Sequence, residues 1–148
     1  MKLRLLLIAL MAVFIISFMG TTAQASNSGT GIGIIIGEPT GLSLKFGNFP
    51  VLGIAWSFDE YIHLHCDYWL KNAYLGGPFD WFIGVGGKLL IYESGKDDNI
   101  GLGLRIPIGL QLFVVDNLEI FGEVAPGILL IPNTDFDIDA GIGLRFYI

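Results

Sequence analysis

The chain has 148 residues; 53% are hydrophobic, 15% are charged, and 14 acidic side chains against 8 basic ones leave a net charge of −6. That acidity argues against a nucleic-acid partner, and a lone cysteine, Cys66, excludes an internal disulfide framework or a thiolate metal cluster. The apolar share is too high for a secreted domain that must coat itself in polar groups, yet past the N-terminus no run approaches the roughly 20 apolar residues of a membrane helix.

At the start of the chain, Lys2 and Arg4 precede an uncharged apolar run over 5–19, and Ala23-Gln24-Ala25 forms a small-x-small cleavage site. Residues 1–25 therefore read as a cleavable secretory signal peptide, with Ser26 as the first mature residue. A stop-transfer anchor is the competing reading, but the run is short for a bilayer span and Ala-x-Ala follows it directly.

Turn signals divide residues 29–148 into eight runs of period two. The first places Ile32, Ile34 and Ile36 on one face and ends at Glu38-Pro39-Thr40. The second sets Leu42, Leu44 and Phe46 against Ser43 and Lys45, and Gly47-Asn48-Phe49-Pro50 closes it. Leu52, Ile54, Trp56 and Phe58 form the third stripe, which turns through Asp59-Glu60-Tyr61. The fourth alternates Ile62, Leu64, Cys66, Tyr68 and Leu70 with His63, His65, Asp67 and Trp69, and a loop is expected at 72–78.

Trp81, Ile83, Val85, Leu89 and Ile91 then oppose Gly84, Gly86 and Lys88, and the charged, glycine-bearing stretch 93–99 is the clearest solvent loop. The sixth run opposes Ile100, Leu102, Leu104, Ile106 and Ile108 to Gly101, Gly103, Arg105 and Gln111. After Asp116-Asn117 the seventh sets Ile120, Val124 and Ile128 against Glu119, Phe121 and Glu123. The eighth sets Ile138, Ala140, Ile142, Leu144, Phe146 and Ile148 against Asp137, Asp139, Gly141, Gly143, Arg145 and Tyr147. Pro107 and Pro126 cannot donate to a ladder, so a bulge or missing bond is expected at each.

None of the eight apolar stripes carries Asp, Glu, Lys or Arg, whereas the opposite faces hold Lys45, Lys88, Arg105 and Arg145 with Asp67, Glu119, Glu123, Asp137 and Asp139. A Lys or Arg facing lipid near the bilayer midplane costs about 2–4 kcal/mol, so hydrocarbon would select this sorting. The fold expected is all-β: an eight-stranded antiparallel up-and-down transmembrane β-barrel over residues 29–148, with a filled polar interior and no open pore.

The alternative turns the barrel inside out, as a soluble secreted lipocalin-like carrier of a small apolar ligand. Volume favours the first reading. Eight strands enclose a lumen only just wide enough for side chains, and the Gly-x-Gly pairs lie on the charged face. Phe46, Tyr68, Trp81 and Phe146 would mark one rim, and Trp56 and Phe58 the other. Gly101-Leu102-Gly103-Leu104-Arg105 and Gly141-Ile142-Gly143-Leu144-Arg145 use one strand template twice.

Gly37-Glu38-Pro39-Thr40-Gly41-Leu42-Ser43-Leu44-Lys45, Arg105-Ile106-Pro107-Ile108-Gly109-Leu110 and Phe121-Gly122-Glu123-Val124-Ala125-Pro126 resemble the OmpA-type and OmpX-type transmembrane domains. They resemble more closely a family of small uncharacterised eight-stranded outer-membrane barrels. The resemblance implies a bacterial outer-membrane location, contact with outer-membrane lipid, and delivery by periplasmic chaperones to the barrel-assembly machinery. Such chains usually end in Phe or Trp, which that machinery reads; here Ile148 is last and Phe146 stands two positions earlier.

His63-x-His65-x-Asp67 is the sharpest chemical pattern, because period two aligns both imidazoles and the carboxylate. Two such histidines can chelate a metal with a carboxylate from a neighbouring strand. The alternative, preferred here, is an interior network with Lys45, Lys88, Arg105 and Arg145 and no cofactor. Glu119 and Glu123 lie roughly 13 Å apart along a strand, too far for a carboxylate pair, so each is expected to meet Arg105 or Arg145.

Ser57, Asp59 and His63, with Ser57 brought opposite His63 by a three-residue turn at Asp59 to Tyr61, would suit a lipid-modifying enzyme of acyl transfer or deacylation, but no nucleophile motif surrounds Ser57. Gly31-x-Gly33 and Gly101-x-Gly103 lack the third glycine and following helix of a nucleotide fingerprint. The expected role is structural or surface-interacting rather than enzymatic, with weak ligand contacts through 72–78 and 93–99.

Overall fold

The computed structural model describes residues 29–57, 61–92 and 100–148. The signal peptide, Phe58, the Asp59-Glu60 part of its turn and the expected loop at 93–99 lie outside the described residues. The strands are β1 (Thr30–Glu38), β2 (Thr40–Phe46), β3 (Val51–Ser57), β4 (Tyr61–Gly76), β5 (Phe79–Tyr92), β6 (Ile100–Arg105), β7 (Ile108–Val115), β8 (Leu118–Ile131) and β9 (Asp135–Tyr147). β1 to β5 pair in succession, β6 and β7 both lie between β5 and β8, and β9 returns to β1, antiparallel throughout.

Among the described residues, nine segments thus fill eight positions of a closed up-and-down barrel. Ile106-Pro107 separates β6 from β7 without moving the register: Arg105 opposes Gly86 and Gly127, and Ile108 opposes Ile83 and Val124. Ile106 N donates to Pro126 O and Gly84 N to Pro107 O, both at 2.9 Å. At Pro107 the disturbance is a missing donor, not a bulge. Pro126 stays in register opposite Ile138 and its carbonyl accepts the Ile106 bond, so no bulge forms there either.

Directly opposed residues run round the ring from Gly31 through Lys45, Val51, Asp67, Gly86, Arg105 and Gly127 to Asp137. The path meets the line of β1 about ten residues from its start, a stagger that tilts the strands by roughly 40° to the barrel axis. Closure is tied at the end holding Thr30 and Ile148, whose backbones exchange bonds of 3.2 and 3.1 Å, while Tyr147 N donates to Asn117 O at 2.8 Å.

The loop expected at 72–78 is instead strand. Register shifts at Trp69/Lys71 and Tyr74/Gly76 carry β4 to Gly76, and Gly77, at φ 59, makes the tight turn with Pro78 in a conformation that glycine tolerates. Asn, Gly and Pro signalled a loop, but β5 supplies backbone partners as far as Phe79, and an extra residue is absorbed as a bulge. The first shift leaves Leu70 and Lys71 both exposed, and Lys71 Nζ lies 5.4 Å from the Trp81 ring.

The faces divide as the alternation requires. Ile36 is 66% and Ile142 68% exposed, whereas Lys88 is 3% and Arg145 1% exposed. The inside-out carrier is therefore excluded: its lumen would hold the aliphatic groups, and here they form the outer skin. Bulky interior groups lie over glycines of the adjacent strand, His65 over Gly53, Phe121 over Gly143 and Tyr147 over Gly31.

Backbones also approach closely. A Cβ added at Gly33 would collide with the Leu144 carbonyl oxygen, whereas at Gly122 the nearest atom would be 3.9 Å away. Gly33→Ala should therefore destabilise the barrel by about 1–3 kcal/mol through overpacking, and Gly122→Ala should leave the urea midpoint within experimental scatter.

Candidate functional site in the barrel lumen

Alternate residues of β4, β5, β6, β8 and β9 project inward at neighbouring heights, so carboxylates distant in sequence converge on one guanidinium. Arg105 Nη1 donates to Asp139 Oδ2 at 3.1 Å, and Nη2 donates to Glu123 Oε1. Its Nε lies 3.3 Å from Asp67 Oδ1, but the hydrogen is misaligned: neither atom has a hydrogen-bond partner, nor does Asp67 Oδ2. Lys88 Nζ bonds both oxygens of Asp137 and sits 3.7 Å from Asp139 Oδ2.

The histidines border this cluster. His65 Nδ1 is 3.3 Å from both His63 Nε2 and Arg105 Nη1, while His65 Nε2 points at Asp67 Oδ2 from 3.8 Å. His63 Nε2 is 4.0 Å from Asp139 Oδ2.

A second cluster occupies the half of the lumen nearer Ile148. Arg145 donates from Nη1 to Glu119 Oε1 at 3.1 Å and from Nε to Ser43 Oγ at 2.9 Å, and its guanidinium lies 3.6 Å over the Phe121 ring. Tyr147 Oη donates to Glu119 Oε2. Lys45 Nζ sits 4.3 Å over Trp69, which stacks on Phe82 with centroids 3.8 Å apart. These cation–π contacts partly replace the missing anion for Lys45.

The nine charges named from the sequence all face the lumen, in two unequal groups. Arg105 and Lys88 meet four carboxylates, Asp67, Glu123, Asp137 and Asp139, whereas in the other group Arg145 pairs with Glu119 and Lys45 sits over the Trp69 ring. Of the histidine–carboxylate set read from β4, His65 and Asp67 come together, but their third companion is Glu123. One ligand atom from each of His65, Asp67 and Glu123 lies within 4.8 Å of the others, while His63 leans towards Asp139.

Strand parity pointed to Glu123 as an inward residue, yet only ring closure sets β8 beside Arg105 and across from β4. Ser43, Trp69, Gln111 and Tyr147 are lumen partners that parity also marks. Gln111, which donates from Nε2 to Asn72 Oδ1 at 2.8 Å, depends on the β4 bulge.

The expected opposition of Ser57 and His63 does not occur. Ser57 pairs with Tyr61 and His63 with Ala55, because the β3–β4 register stands two residues away from the one that the enzyme reading requires. Cys66 is half-buried on the outward stripe, opposite Leu52 and Gly87.

An aliphatic skin around a closed antiparallel ring whose lumen is packed with ion pairs and rings defines a β-barrel of inverted polarity. The chain belongs to the family described as "Protein of unknown function (DUF3996)", which matches residues 21–147. Among solved structures it is similar to the crystal structure of Neisserial surface protein A (NspA), at 10% identity and a TM-score of 0.47 over 81% of this chain and 94% of that chain. No curated protein sequence matches it.

Proposed function

We propose that the protein is an integral barrel of the bacterial outer membrane, exported by the signal peptide at 1–25, with a structural or surface-interacting role and no open pore. One observation carries the reading: exposed side chains such as Ile34, Ile54, Leu104, Leu110, Leu144 and Ile142 make a nearly unbroken aliphatic skin, while the ionic groups are sequestered in the lumen. In water that skin would be an aggregation surface far beyond the few hundred Å² usual for a soluble monomer; against acyl chains it needs no cover.

In this setting Lys71 and Trp81 make an interfacial pair. Outer-membrane lipid is the main partner, and periplasmic chaperones and the assembly machinery are its expected handlers. The tight hairpin at Gly77-Pro78 shares an end with the termini, the periplasmic end of an even-stranded barrel, so surface contacts fall to 93–99 and the other turns of the opposite end. The enzyme reading has less support, since Ser57 and His63 are not directly opposed.

Membrane fractionation with a heat-modifiability gel tests the proposal. The protein should appear in the outer-membrane fraction, begin at Ser26 by N-terminal sequencing, and change mobility on boiling. Recovery as a soluble protein whose mobility does not change would overturn the reading. In planar bilayers the refolded barrel should show no steady conductance, because side chains fill the lumen.

A further inference from the structure

We infer that the lumen holds one divalent transition-metal ion, with His65, Asp67 and Glu123 as its ligands. The three come from β4 and β8, on either side of Arg105, and are 7%, 0% and 7% exposed. Their ligand atoms already lie within 4.8 Å of one another. Around a tetrahedral ion with bonds of about 2.0–2.2 Å, ligand atoms stand roughly 3.4 Å apart, so shifts of up to about 0.8 Å at each side chain would complete the set.

Two further features point to a ligand. Asp67 is fully buried, yet both its carboxylate oxygens lack a hydrogen-bond partner, a costly state for an ionised group. Arg105 does not remedy it, since its Nε is near Oδ1 but misaligned. The surrounding cluster also has two more carboxylates than cations, counting Asp67, Glu123, Asp137 and Asp139 against Lys88 and Arg105. A divalent ion would bring it to balance.

A cavity of about 10 Å³ adjoins His65 and Glu123 and reaches towards Glu38 and Pro39. It has about the volume that one water needs, so a water can supply the fourth ligand. Imidazole and carboxylate donors with no thiolate suit zinc, nickel or cobalt.

The histidine pair orients the ligand. With His65 Nε2 on the metal, Nδ1 carries the proton and donates to His63 Nε2 at 3.3 Å, the outer-shell bond that metal-bound histidines usually make. Arg105 Nη1, released from His65, keeps Asp139. The binding state thus selects one tautomer across two rings. His63 is a positioning residue in this arrangement, where β4 by itself had suggested a ligand.

The experiment refolds the full mature barrel with one equivalent of Zn²⁺, removes free metal by gel filtration, and measures bound zinc by mass spectrometry on protein that passes the heat-modifiability test. The expected result is close to one zinc per chain. Asp67→Asn and His65→Gln should weaken retention at least about 10-fold, and Glu119→Gln, in the other cluster, should not. Folded wild-type barrel with under a tenth of an equivalent overturns the inference, as does zinc retained by both ligand variants. Should those variants fail to fold, X-ray absorption on the wild-type zinc form decides: one imidazole with oxygen ligands supports the site, and oxygen ligands alone overturn it. This outcome is independent of whether the barrel fractionates with the outer membrane.

Discussion

Arg105→Ala should lower the unfolding free energy of the refolded barrel by about 3–5 kcal/mol, the cost of leaving buried carboxylates without their counter-charge. Arg105 is 2% exposed and touches Asp67, Glu123 and Asp139, so its removal strips all three of that counter-charge and leaves only Asp139 near Lys88, at 3.7 Å. The intact cluster need not add much net stability, because desolvation offsets most of the attraction; the loss comes from removing one partner.

Urea titration in detergent, followed by tryptophan fluorescence, would measure the effect. Adding Asp67→Asn to Arg105→Ala should recover part of it, since the two sites are coupled. An unchanged midpoint in the single variant would show that the guanidinium is not the counter-charge of the cluster. Lys88 and bound cations would then have to carry that role.

The second large effect concerns the skin. Ile142 is 68% exposed and lies opposite Ile36 on β1 and Gly122 on β8, near the middle of β9. In the proposed bilayer setting, Ile142→Arg should cost about 2–4 kcal/mol. On a water-facing barrel the same change at an exposed position would stay within about 0.5 kcal/mol. Refolding into lipid vesicles and comparing urea midpoints separates the two settings by more than experimental error. A neutral result would remove the outer-membrane assignment while leaving the barrel fold intact.

Much of the fold follows from strand parity. Ile32, Ile34 and Ile36 face out and Arg145 and Tyr147 face in because successive side chains of a strand point to opposite sides, a property that needs no knowledge of neighbours. The repeated Gly-x-Gly-Leu-Arg template was equally visible. The structure shows what the repetition does: Arg105 is the hub of one ionic cluster and Arg145 the hub of the other.

Other features were not visible because they depend on what lies across the ladder. The stretch 72–78 carries loop residues, but β5 offered it partners and two register shifts absorbed the mismatch. Pro107 interrupts a strand without shifting it, since Pro107 and Pro126 accept bonds from Gly84 and Ile106 that keep the register.

By itself, the order of residues determined which side chains look inward, that nine charges share the lumen face, and that the skin is aliphatic, all consequences of a two-residue period acting locally. Only the tertiary structure decided which of those charges meet. Register across eight positions is set by ring closure and by a stagger of about ten residues, and in that register Ser57 meets Tyr61, two residues short of His63. The same closure brought Glu123, fifty-six positions along the chain from Asp67, beside it and His65.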